Sequence, residues 1–110
     1  MKLFLVGSAI AALVASAEYG ADFKPDPRDG GPGSIDTSGY PEPMKKNYEM
    51  YSVKCAKCHP LARSINARFT AQDWKRYMKR MIRRPNSGIN EEQAGEVYSF
   101  LKYYASQIGL

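Results

Sequence analysis

Two cysteines and a single histidine are all that this chain of 110 residues contains of those two metal-binding residue types. That scarcity excludes a disulfide-rich scaffold and a multi-histidine metal site. Long apolar runs are also missing. None reaches the ~18 residues that a bilayer-spanning helix needs, and a mean hydropathy of −0.49 excludes a polytopic membrane protein. No internal repeat is visible, and no segment alternates apolar and polar residues long enough to read as a strand. With 44% hydrophobic and 25% charged residues, what is left is an ordinary globular composition for one small domain.

The first 17 residues, MKLFLVGSAIAALVASA, have a thin positive start at Lys2, an apolar stretch from Leu3 to Val14, and small residues at Ala15 and Ala17. This is the pattern of a secretory signal peptide, with cleavage expected before Glu18; an uncleaved anchor is the alternative, and the apolar run is short for one. Export to a periplasmic or similar compartment is oxidising, so a bare Cys55/Cys58 pair would tend to close there. Such a disulfide spans a tiny loop and removes little chain entropy. A domain this small usually needs some further element to complete its core.

Residues 18–43 are rich in breakers: Pro25, Pro27, Pro32, Pro41 and Pro43 alternate with Gly20, Gly30, Gly31, Gly33 and Gly39. They read as an irregular or extended arm, either a spacer or a wrap anchored by Phe23, Ile35 and Tyr40. The domain follows over residues 44–110 and is all-α, with three helices. The first runs from about Met44 to Lys54, with Met44, Tyr48, Tyr51 and Cys55 on one stripe. A second starts after Thr70, where Thr70 and Asp73 form a capping-box pattern, and is ended by Pro85. The third starts at Asn90 with Gln93 three residues on, carries Ala94, Val97, Tyr98, Leu101, Tyr104, Ala105 and Ile108 on its apolar face, and ends at Gly109. Pro60 to Phe69 reads as a loop.

Cys55-Ala56-Lys57-Cys58-His59 is the attachment pattern for c-type haem. Two intervening residues let one helical turn present both sulfurs to the two vinyl groups on one porphyrin edge. The adjacent His59 then supplies the proximal nitrogen to iron, and its other ring N–H is expected to donate to a nearby acceptor, by the general habit of ligating histidines. A structural zinc site would want a fourth ligand that the soft donors here do not provide. A thioredoxin-type pair would want a strand before the motif, where a helix is read instead. An inert disulfide explains neither His59 nor the small core. For the sixth iron position the residues leave two thioethers open, Met78 and Met81; Met44 reads as core and Met50 as surface. Trp74 reads as packing beside the haem edge, with an indole N–H to a propionate as the other option.

With these residues in view, 44–108 resembles a small monohaem class I cytochrome c. The resemblance implies a cytochrome c-like fold, with N- and C-terminal helices crossing around one covalently attached haem c per chain and a third helix on the distal side. It implies that Tyr51, four positions before the first cysteine, packs at that crossing against Tyr98 and Leu101. Asn47 departs from the glycine frequent in the family, and Gly95 is expected to supply the close approach from the other helix. The run Trp74, Arg80-Met81, Ile89, Glu92 and Leu101 resembles the short domains that serve dehydrogenases, including sulfite-oxidising and quinohaem enzymes. There the Met after a basic residue is the distal ligand, which here would be Met81, with Met78 the runner-up.

Charge is unevenly spread. Residues 45–84 hold twelve bases and two acids, whereas residues 18–44 hold six acids and two bases. A basic block around a redox centre suits steering toward an acidic partner, a redox protein or dehydrogenase; the simpler reading is a solvated face, and the acidic arm can also fold back to screen it. Export disfavours nucleic acid. Anionic lipid head groups are a surface that the Lys75 to Arg84 cluster can meet without spanning the bilayer. The expected function is one-electron transfer with no enzymatic turnover. The alternatives are a five-coordinate ligand-binding or peroxidatic haem protein and a dedicated electron-transfer subunit of a dehydrogenase.

Overall fold

The computed structural model describes residues 26–110. The signal peptide over residues 1–17, the first part of the arm and Phe23 lie outside the described residues. The chain forms a 3-10 turn at Pro27–Gly30 and four helices: α1 (Glu42–Cys55), α2 (Leu61–Ile65), α3 (Ala71–Arg83) and α4 (Glu91–Gln107). The described residues are all-α, as expected, and contain no strand.

Local chemistry accounts for the helix ends. Pro43 sits in the first turn of α1, where its missing N–H leaves no bond unmade. Both capping boxes close: the Asp73 N–H donates to Thr70 Oγ1 at 3.2 Å while the Thr70 N–H donates to Asp73 Oδ2 at 3.0 Å, and Asn90 and Gln93 repeat the exchange at 2.8 and 3.1 Å. Arg84, the residue before Pro85, turns extended at ψ 125° and ends α3. At the end of α4, Gly109 adopts φ +81°. The Leu110 N–H then reaches the Ala105 carbonyl at 2.8 Å, a Schellman closure that a side chain at residue 109 would strain.

α4 lies in the middle, with α1 and α3 both packed along it. The core gathers Tyr51 from α1, Ile65 from α2, Trp74 and Met78 from α3, and Ala94, Val97, Phe100 and Leu101 from α4. Three expectations for α4 need correction. The aromatic partner of Tyr51 is Phe100, at 5.1 Å between ring centres, a residue outside the expected stripe; Leu101 is fully buried in the same cluster and Tyr98 half-buried against it. Ile108 is exposed, because the helix has ended before it. Gly95 faces solvent, and a Cβ there would meet nothing, so no close helix approach depends on it. Met50, expected at the surface, is half-buried against the core.

The segment after His59, expected as a loop, contains α2. It is five residues long, too short for periodicity to reveal, and starts at Pro60 with an extended φ/ψ that leads into the helix. The described part of the arm wraps the domain. The Ile35 N–H donates to the Tyr48 hydroxyl at 3.1 Å, and Tyr40 packs edge-on to Tyr103 at 4.8 Å. The 3-10 turn lies against α2, and the Asn66 amide donates to the carbonyls of Arg28 and Pro32. Gly31 permits this approach, since a Cβ there would run into the Asn66 amide.

Candidate functional site

Cys55 is the last residue of α1, and Ala56 stays in the right-handed region at φ −78°, ψ −6°, so the chain keeps turning through Cys58. Both sulfurs are free thiols. They differ in setting: Cys55 packs against the core, and burial pushes its pKa up to about 12, whereas Cys58 is exposed. His59 follows on a bend before α2. Burial first, and the neighbouring Arg63 guanidinium second, hold the imidazole below its ordinary pKa, so the ring is neutral at pH 7.

The neighbour of the His59 ring is a side chain and not a carbonyl. Arg63, one helical turn on in α2, brings Nη1 to 2.8 Å from Nδ1 and 3.4 Å from Nε2. The same guanidinium is gripped from its other side by Asp29 of the arm, Nη2 to Oδ2 at 2.7 Å and Nε to Oδ1 at 3.0 Å. Both side chains of this pair are largely buried, at 17% and 14% exposure. The Arg63 bond holds the Asp29 carboxyl below the usual carboxylate range.

The C-terminal end of α3 meets the motif through its following loop. The Lys57 ammonium donates to the Asn86 carbonyl and the Lys54 ammonium to the Gly88 carbonyl, each at 2.8 Å. Ser87 Oγ donates back to the Met81 carbonyl at 2.7 Å. Asn86 and Gly88, the two residues whose carbonyls meet the lysines, take left-handed φ of +64° and +70° on either side of Ser87. The loop after Met81 is thereby tied to the two lysines flanking Cys55. On α3 itself, Met78 is core at 3% exposure, while Met81 is half-buried. Tyr77, one turn before Met81 on the same face, is raised in pKa by burial and then by its nearness to Cys55. Trp74 is buried between Phe69 and Tyr77, with ring centres 4.8 and 5.6 Å away. Leu61, Phe69, Tyr77, Met81, Ile82 and Ile89 form a half-buried apolar fringe against the core.

Among the described residues, no three His, Cys, Asp or Glu side chains gather as a metal cluster. Cys55, Cys58 and His59 are held together by their adjacency along one turn, and the loop that follows Met81 is fastened to Lys54 and Lys57 beside them. The basic block lies at the surface: Lys75, Arg76, Lys79, Arg80, Arg83 and Arg84 are all exposed. Arg76 pairs with Asp73 at 2.6 Å, and the Arg80 guanidinium lies 5.5 Å from the Tyr77 ring centre. No helix among the described residues is long and apolar enough to cross a membrane.

Three features escaped the sequence reading: the Asp29–Arg63 grip, the Arg63 contact with His59, and the lysine ties to the α3 loop. Each joins residues that composition counts only as charge. Except for Arg63 and His59, whose i, i+4 spacing is the one readable signal, the partners stand 29–34 residues apart. Comparison of the chain with family models, with curated proteins and with solved structures found no match in any of the three.

Proposed function

We propose that this chain is an exported, periplasmic monohaem c-type cytochrome that carries one electron at a time and is not an enzyme. One haem c would be held through Cys55 and Cys58, with His59 as the proximal iron ligand and Met81 as the distal one, in a cytochrome c-like fold. The observation that carries this reading is the convergence of the CxxCH turn and the end of α3, secured by Lys54 and Lys57. Met78 is committed to the core and Met81 is not, which supports Met81 as the distal ligand. The half-buried apolar fringe fits a group that completes an undersized core.

When bound, the group supplies a metal that cycles between ferric and ferrous. The residues do the rest. Cys55 and Cys58 would attach it, His59 and Met81 would ligate its metal, and Trp74 and Tyr77 would pack at its edge. The exposed cations of α3 would draw in an acidic redox protein or dehydrogenase. Ferric and ferrous absorption spectra of the exported protein test the reading. A far-red sulfur-to-iron band, with slow binding of carbon monoxide by the reduced form, is expected. Rapid carbon monoxide binding would favour an open, ligand-binding site, and colourless protein with the mass of the bare polypeptide would end the proposal.

A further inference from the structure

The Arg63 guanidinium lies directly against the His59 ring. Its Nη1 is 2.8 Å from Nδ1 and 3.4 Å from Nε2. An atom that close to both ring nitrogens stands against the ring rather than along either lone pair, so the contact fixes no tautomer and acts on the imidazole as a nearby positive charge. Asp29 holds the cation in that place, because the two-pronged pair is largely buried and joins the docked arm to α2. Asn66 holds the same turn by a second, uncharged connection, through the Arg28 and Pro32 carbonyls.

From this we infer that Arg63 is a positioning residue on the proximal side of the iron, set in place by Asp29, and that the arm thereby tunes the redox centre. This rests on the reading of His59 as an iron ligand. The two residues of the pair act with opposite sign. The Arg63 charge beside the imidazole disfavours the more positive ferric state, and the Asp29 charge offsets it. Because both side chains are shielded from solvent, the effect is weakly screened by salt.

The test is potentiometric titration of the haem-loaded, full-length protein, comparing wild type with Asp29→Asn and Arg63→Gln. Arg63→Gln removes the cation and offers an amide oxygen as an acceptor for Nδ1–H, so its midpoint potential is expected to fall. Asp29→Asn removes one negative charge from beside the cation and so from near the redox centre, so its midpoint is expected to rise. Arg63→Lys keeps the charge and is expected to stay closer to wild type than Arg63→Gln does. Opposite shifts are a signature that simple loosening of the fold does not produce. Shifts of the same sign, or none, would overturn the inference. Should Arg63→Gln fail to load haem, Asp29→Asn decides alone, and an unchanged or lowered midpoint is the contrary result. Wild-type protein that contains no haem is a separate outcome, which removes the cytochrome reading itself.

Discussion

Met78 and Met81 are one turn apart, yet their surroundings ask different things of them. Met78 is enclosed by the core, so Met78→Ala leaves a cavity and is expected to destabilise the domain by about 2–5 kcal/mol. Its effect on the far-red band should be small. Met81→Ala is expected to reverse this pattern, converting the ferric spectrum to high spin at modest cost in stability. A spectrum that changes only in Met78→Ala would reassign the distal ligand. The two cysteines differ in a similar way. In chain made without haem, iodoacetamide at mildly alkaline pH should modify exposed Cys58 well before Cys55, whose buried thiol at about 12 provides little thiolate. Peptide mass mapping over time checks the order.

At the scale of elements, the two capping boxes were legible as Thr70/Asp73 and Asn90/Gln93, and both close as written. Asn90→Ala should therefore cost roughly 1 kcal/mol in urea unfolding and loosen the start of α4 first. Apolar spacing located α1, α3 and α4, because each is long enough to repeat. It could not reveal α2, whose five residues make little more than one turn. It also misjudged the face of α4: the narrow stripe omitted Phe100, which enters the core because α1 and α3 flank α4 and bury a wider arc. The arm was read as irregular, and its docking depends on pairs such as Asp29 with Arg63 that no local pattern announces. That pair sets an acid limit. The Asp29 carboxyl is depressed in the docked state, so its contribution is fully present above the ordinary carboxylate pKa and is lost as pH falls through the lowered one. Hydrogen exchange over residues 27–31 should stay slow down to about pH 4 and quicken below it. Release already at neutral pH would show that the pair does not hold the arm.

For the whole molecule, the charge imbalance read along the chain becomes an exposed cationic helix. Part of the opposing acid is used internally, as Asp29 on Arg63 and Asp73 on Arg76, and the row from Lys75 to Arg84 keeps its exposed face. The rate at which an acidic redox protein reduces the loaded chain should fall by about tenfold or more between low and high salt, since charges beyond a Debye length of ~10 Å at 0.1 M are screened. Stopped-flow measurements give the slope, and a flat response would remove steering from the account. The CxxCH motif was readable because it occupies five adjacent residues. The lysine ties that bring the helix to the motif were not, because they use backbone carbonyls, which leave no trace in residue type. Trp74, the one tryptophan in the chain, lies within the core beside Phe69 and Tyr77. Its fluorescence is thus a built-in gauge: quenched by energy transfer in pigmented protein, blue and bright in unpigmented chain that has folded, and red-shifted once denaturant admits water.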